Sequence, residues 1–362
     1  MIYLNYAALC PTLPEAEQEV ERTLTEFKHY LYSDAGIKWY LNKVRDCRQK
    51  VGSFLHVSDP STIAFVSNAS TAHFLILSSL NWKSGDTILT TTHENPSITS
   101  QLFALEPRGI HIHAIKPISP GEFIKEFKHQ VNQHHPKALV MSHVSHVDGR
   151  VFPIHDISVL AKEHQCMVII DGAQAVGHIA VDLSMLDVDV YLFTGHKWCQ
   201  GPLGTGAMVV RDGFFQHPNY QQIQTENPGW PLASQFEIGT HNIGLIAGLA
   251  QACEHRHQKG IETEQLLNFQ KEAKEQLGRI RGCHVLEWEG PHAPGILTFK
   301  GNSDLDHVKF AKQLASEFGI IVKPFVDYPA SDTPAIRLSW SSMLKQEDFQ
   351  KGLSTIGQQL QS

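Results

Sequence analysis

The 362-residue sequence has only six cysteines, scattered and without a Cys-x-x-Cys pair. Such usage argues against a zinc ribbon or a disulfide framework and fits a reduced, cytoplasmic protein. Long hydrophobic runs are missing too. No stretch approaches the roughly 18 apolar residues of a membrane span, and Met167-Val168-Ile169-Ile170 is typical of the short runs present. The opening Met1-Ile2-Tyr3-Leu4-Asn5-Tyr6 has no basic segment leading into an apolar one, so no secretory signal is expected. Basic charge is not in excess: 30 Lys+Arg against 37 Asp+Glu leave a formal charge of −7. Neither nucleic acid nor an acidic membrane surface is therefore an expected partner. Repeats, low-complexity tracts and Pro/Gly/Ser linkers are absent as well. What is present is a 42% hydrophobic content, which excludes overall disorder, and 22 histidines, nearly as many as the 26 glycines.

The apolar residues alternate between two patterns. Val20, Leu24, Phe27 and Leu31 repeat at helical spacing behind Thr12 and Pro14, and Tyr40, Val44, Cys47, Val51 and Leu55 mark a second helix. Short, continuously apolar runs follow: Thr62–Val66, Thr87–Leu89, Ala138–Met141, Met167–Ile170, Val190–Phe193 and Ala207–Val210, with helical segments such as Ile157–His164 between several of them. Strands buried on both faces read this way. The pattern predicts an α/β domain with a mostly parallel central sheet sandwiched by helices. Beyond about residue 255 a long charged helix is expected from Glu254 to Leu277, followed by a smaller α+β pattern. We place the large domain at 15–255. The small domain takes 256–362 together with the N-terminal segment 1–14.

In open α/β sheets, ligands bind outside the carboxyl ends of the strands. Met167–Ile170 runs into Asp171-Gly172-Ala173-Gln174, and the next strand runs into Thr194-Gly195-His196-Lys197-Trp198. Taken alone, Asp171 reads more simply as a helix cap and Lys197 as a surface amine. A desolvated strand-end lysine is, however, also suited to covalent catalysis. The conjunction of blocks weighs toward chemistry. Asp171 and Lys197 stand 26 residues apart, with Tyr3-Leu4-Asn5-Tyr6, Ser67-Asn68-Ala69-Ser70-Thr71 and Thr92-His93-Glu94 before them. Glu237-Ile238-Gly239-Thr240 and Ile336-Arg337-Leu338-Ser339 come after.

In that order the blocks resemble the class V aminotransferase family of pyridoxal 5′-phosphate (PLP) enzymes, over nearly the whole chain. The resemblance implies the fold type I architecture of PLP enzymes and a role for each block. Lys197 would bind the cofactor covalently and move the α-proton. Asp171 would pair with the pyridine nitrogen, Gln174 would reach the phenolic oxygen, and His93 would stack on the ring. Ala69, Ser70, Thr194 and His196 would hold the phosphate. Thr240 would reach the phosphate of a neighbouring subunit, implying a homodimer with shared sites. Arg337 would clamp the substrate carboxylate as a bidentate fork.

Two departures narrow the expected activity. Where many relatives carry an asparagine near the phenolic oxygen, the run His143-Val144-Ser145-His146 offers His146, whose charge state would then matter. Persulfide-forming cysteine desulfurases place a nucleophilic cysteine on a loop shortly before the carboxylate-binding arginine. Here the last cysteine is Cys283, 54 residues before Arg337, and Ile320–Ala335 contains none. Cys10 and Cys199 read as packing thiols. The expected reaction is therefore α,β-elimination at the C–S bond of a cysteine derivative, giving pyruvate, ammonia and a sulfur product. Transamination and epimerisation draw on the same carbanion, and a PLP-fold binding protein without turnover is the non-enzyme alternative. The side-chain pocket is expected from loops Asp34–Tyr40, Gln216–Pro231 and Phe325–Thr333. Trp39, Trp230, Phe325 and Tyr328 are its candidate aromatic lining. The pairs His111/His113 and His134/His135 lack carboxylate or thiol company at ligand spacing; His257 shares a helix face with Cys253, but two ligands do not make a zinc site, and no metal is expected.

Overall fold

The computed structural model describes residues 1–30, 33–222, 230–325 and 334–361. The chain begins with a two-residue strand, β1 (Ile2–Tyr3), and two helices, α1 (Pro14–Phe27) and α2 (Asp34–Leu55). It then builds a seven-stranded sheet from β2 (Ile63–Val66), β3 (Thr87–Thr91), β4 (His111–Ile115), β5 (Ala138–Ser142), β6 (Met167–Asp171), β7 (Val190–Thr194) and β8 (Gly206–Val210), in the order β2-β8-β7-β6-β5-β3-β4. Only β8 runs against its neighbours, β2 and β7; every other pairing is parallel. Between the strands lie α3 (Ala69–Ser78), α4 (Pro96–Phe103), α5 (Pro120–His134) and α6 (Ile154–Glu163), and α7 (Asp212–Gln216) follows β8. Every residue of β2, β3 and β5–β8 is buried, so the sheet is covered on both faces. The exception is the edge strand β4, exposed or half-buried along most of its length. Its His-Ile-His-Ala-Ile sequence carries no continuous apolar run, which is why it gives no strand signal.

The expected helix over Glu254–Leu277 is two helices, α8 (Ile243–Lys259) and α9 (Thr263–Gly278). Gly260 separates them at φ +77°, a backbone conformation that side chains other than glycine's rarely adopt. The expected loop Asp34–Tyr40 is likewise the start of α2, whose first turn is capped by Ser33 Oγ accepting from the Gly36 N–H. Trp39 stacks on Phe27 and Tyr30, with ring centres 5.7 and 5.5 Å apart, as packing.

The remaining elements are β9 (His284–Val285), β10 (Ile296–Lys300), α10 (His307–Phe318), β11 (Ile320–Ile321), β12 (Lys323–Phe325), β13 (Ala335–Ser339) and α11 (Gln346–Gln359). Strands β12-β13-β10-β9 form an antiparallel sheet, and β1 pairs in parallel with β11. A second core gathers Ile2, Leu4 and Tyr6 with Phe269, Leu297, Leu338, Trp340 and Phe349. Trp198, directly after Lys197, belongs to this core, so both cores meet at that lysine's segment.

Candidate active site

The cavity of interest opens at the carboxyl ends of the parallel strands, where the α/β topology leaves a crevice. It has a volume of about 370 Å³, and its wall holds eight of the residues expected from sequence: Ala69, Ser70, His146, Asp171, Gln174, Thr194, His196 and Lys197. They come from four segments: the start of α3 after β2, the loop after β5, and the ends of β6 and β7 with the residues that follow them. Ser142, closing β5, sits opposite Asp171, closing β6. Thr194 closes β7, and Lys197 follows three residues later.

At one end lies the N-terminus of α3. Asn68 caps it by accepting the Thr71 N–H at 2.8 Å. The N–H groups of Ala69 and Ser70 make no hydrogen bond among the described residues. Two orphan donors at the positive end of a helix dipole form an anion cup. His196 sits beside it, its Nδ1 2.8 Å from Thr194 Oγ1. Burial pushes the His196 imidazole down to about 4, with Lys197 adding repulsion, so the ring is neutral at physiological pH.

At the other end is the buried carboxylate of Asp171. Its Oδ1 accepts from the Ala173 N–H at 2.7 Å, and Oδ2 lies 3.3 Å from His73 Nε2. Burial alone would raise its pKa. The hydrogen bond from His73, the charge of Lys197 and the Ala173 N–H outweigh it and hold the carboxyl below the usual range. Lys197 is pushed the other way. Desolvation lowers its amine, and Asp171 only partly restores it. Gln174 is fixed through both ends of its amide, accepting from Trp198 Nε1 at 2.6 Å and donating to the Ala7 carbonyl at 2.9 Å. An anion cup, a buried anion and a depressed amine around one cavity fit the phosphate, the protonated ring nitrogen and the aldehyde carbon of PLP.

His146 lines the wall, as expected. Its charge state does not behave as expected. Burial pushes the imidazole far below its ordinary value, and Arg337, Lys197 and His93 add to the shift. It is a neutral ring at any physiological pH.

His93, Arg337 and Thr240 are not in the wall. His93 is buried beside it, with Nδ1 3.1 Å from Ser145 Oγ and 3.9 Å from Asp148 Oδ1. Arg337 donates to the His146 carbonyl at 2.6 Å and to Asn5 Oδ1 at 2.9 Å. Both are anchored on the Ser145–His146 segment, at the back of the site. Thr240 is exposed and lines a separate groove of about 860 Å³ with Ile37, Leu41 and Trp230. Glu237 fixes that segment by accepting from Arg48 Nη2 at 2.6 Å and from the Phe65 N–H at 2.8 Å. Phe325 packs edge-on against His146 at 5.8 Å, whereas Tyr328 lies outside the described residues.

Sequence reasoning missed Asn68, Asn95, Ser97, Ser142 and Ala173 in the wall and His73 behind Asp171. Asn95-Pro96 is a helix-start signal placed just after β3, and it could have marked Asn95 and Ser97. A lone histidine in the otherwise apolar helix α3 was the available mark of His73. Among the described residues, no group of three or more His, Cys, Asp or Glu is placed to hold a metal ion.

The Aminotransferase class-V family model matches residues 2–324. Cysteine desulfurases of Salmonella newport and Salmonella typhimurium are each 30% identical over 300 residues, covering 77% of this chain and 72% of theirs. Two solved structures share the fold at a TM-score of 0.84. One is the cystine C–S lyase C-DES in complex with its reaction product cysteine persulfide, 24% identical and covering 98% of this chain and 97% of its own. The other is the cysteine desulfurase of Thermococcus onnurineus NA1, 20% identical, covering 99% and 94%. In another C-DES structure, a variant, glycine is covalently linked to the PLP cofactor.

Proposed function

From the premise that the chain belongs to the class V aminotransferase family, whose cofactor is PLP, we propose that it is a C–S lyase: it cleaves the C–S bond of a cysteine derivative by α,β-elimination. The observation that carries this reading is a full set of carbanion-forming residues without a thiol between Ile320 and Ala335. The reaction balances as RS–CH₂–CH(NH₃⁺)–COO⁻ plus one water giving RSH, pyruvate and ammonium.

PLP supplies an aldehyde for the amine and a protonated ring that takes up the electron pair released at Cα. This chain's residues do the rest. Lys197, with its depressed amine, takes the proton from Cα. Asp171 would keep the ring nitrogen protonated. Gln174 and His146 would face the phenolic oxygen, while Ala69, Ser70, Thr194 and His196 would hold the phosphate. His93, seated beside the wall on Ser145, would reach the ring face. Arg337, behind the wall, would orient the substrate carboxylate and so keep the Cα–H bond aimed at Lys197. As the C–S bond breaks, its electron pair leaves with sulfur, and the released enamine hydrolyses to pyruvate and ammonium.

The desulfurase reading is favoured by the similarity to the Salmonella enzymes. It needs a thiol that can attack the substrate sulfur. Cys10 is a thiol placed near Lys197, but it is buried, its Sγ donates to the Tyr6 carbonyl at 3.4 Å, and desolvation pushes its pKa up. Such a group is protonated and unreactive.

A homodimer is also part of the proposal. Ile37, Leu41, Trp230, Leu232 and Ile238 are exposed large apolar residues around the Thr240 segment, a patch that a second copy would cover. All six cysteines are buried free thiols, which supports a reducing, cytoplasmic setting. No helix of the described residues is long and apolar enough to cross a membrane.

The test is product analysis. Holoenzyme given cystine, S-substituted cysteines and their sulfoxides is expected to release pyruvate and ammonium in equal amounts. Alanine in place of pyruvate would establish desulfuration, and a keto acid that still carries its sulfur would establish transamination.

A further inference from the structure

Helix α3 begins at the phosphate cup and carries, one turn further on, a histidine that the proposed mechanism does not use. His73 has no solvent exposure. Its Nε2 lies 3.3 Å from Asp171 Oδ2, and its Nδ1 has no partner. The ring proton therefore belongs on Nε2, where an acceptor waits, rather than on Nδ1, where none does. Among the described residues, His73 is the one side chain that hydrogen-bonds Asp171; the other contact is the Ala173 N–H.

From this geometry we infer that His73 is a positioning residue: by donating to Asp171 it fixes the carboxylate and keeps the cofactor's ring nitrogen, rather than Asp171, the holder of the shared proton. The inference rests on the placement of Asp171 at that nitrogen. The chemistry follows from competition for one proton. A carboxylate that already accepts two hydrogen bonds is a weaker base. Remove the His73 donor, and Asp171 becomes more basic and draws the proton away from the ring. The ring then loses its capacity as an electron sink.

The other groups around Asp171 cannot replace this donor. Lys197 stabilises the carboxylate through charge without a hydrogen bond, and Glu94 is an acceptor already held by Thr91 and Ser142. The phenol of Tyr191, pushed up by burial, stays neutral and is bonded to His143 Nδ1 at 2.8 Å. His73 also joins the two ends of the cofactor site. A single rigid helix presents the phosphate cup from its first residues and the Asp171 partner from its fifth. Cofactor binding and ring protonation are thereby tied to one element.

The test compares His73→Gln with His73→Asn in holoenzyme reconstituted with ring-¹⁵N-labelled PLP. The ¹⁵N shift of the ring nitrogen is followed against pH, together with the PLP dissociation constant. Gln places its amide nitrogen where Nε2 was, whereas Asn falls short of Asp171. We expect Gln to keep the wild-type ring protonation. Asn should lower its midpoint by about one pH unit, a tenfold change, and weaken PLP binding by a similar factor. If Asn does not fold, His73→Phe, which keeps the volume and removes the donor, gives the same reading. Equal ¹⁵N titrations in both variants and in wild type would overturn the role of His73. Asp171→Asn distinguishes the placement of Asp171 from the role of His73. If it leaves the ring nitrogen unchanged, the placement of Asp171 fails. If it shifts the nitrogen while His73→Asn does not, only the role of His73 fails.

Discussion

Arg337 reaches across from β13 to donate to the backbone carbonyl of His146, 2.6 Å away. With the hydrogen bond from Thr298 Oγ1 to the Val147 carbonyl, this contact joins the small antiparallel sheet to the loop behind β5. Its guanidinium also donates to Asn5, so three chain segments distant in sequence converge on it.

That convergence predicts how Arg337→Lys will behave. The charge survives but the planar fork is lost. A hydrogen bond to a charged group is worth about 1.5–3 kcal/mol, so KM for the amino-acid substrate should rise ~10–100-fold. The absorbance of bound PLP should stay where it is, because Arg337 is outside the cavity wall. An unchanged KM would place the carboxylate elsewhere.

The sheet and most of the cavity wall are legible in the sequence for one reason. Buried parallel strands read as apolar runs, and the α/β topology puts their carboxyl ends in one crevice, so Asp171, Thr194 and Lys197 can be placed by counting. Strand β4 escapes because an edge strand needs no apolar run. The split between α8 and α9 escapes because Gly260 acts through its positive φ, and a glycine in a helical pattern does not announce that. His73, Asn95 and Ser97 escape for a different reason. Their nearness to Asp171 and the cavity depends on how α3 and α4 pack on the sheet, and no local spacing encodes that. The seating of His93 on Ser145 and Asp148 is a rotamer choice, equally invisible in the sequence.

His146 lines the cavity proposed to hold PLP, where a change of charge would alter the cofactor's electronics, yet its surroundings prevent that change. Burial, reinforced by Arg337, Lys197 and His93, keeps the imidazole neutral. His146→Asn should therefore leave the pH dependence of the bound cofactor's absorbance unmoved between about pH 6 and 9, even though the amide changes how the phenolic oxygen is held. The measurement is a spectrophotometric titration of wild type and variant. A displaced inflection in the variant would show that His146 titrates in that range.

Glu94 supplies the clearest pH signature in stability. Its carboxylate is buried and accepts from Thr91 Oγ1 at 2.6 Å and from the Ser142 N–H and Oγ at 2.9 and 2.6 Å. Desolvation outweighs those three hydrogen bonds and pushes the carboxyl up to about 7 from an ordinary 4.5. The folded-state value lies above the unfolded one, so the folded protein holds a proton that the unfolded chain has released. This contribution is complete below pH ~4.5 and is lost as the pH rises through about 7, a difference on the order of 3 kcal/mol. Glu94→Gln removes the titration while keeping the side chain's shape and its ability to accept from Ser142. Urea unfolding of holoenzyme with saturating PLP, at about pH 5 and pH 8, should show wild type losing more stability than the variant by roughly that amount. Parallel losses in the two proteins would mean that Glu94 is ionised throughout, its three donors having overcome its burial.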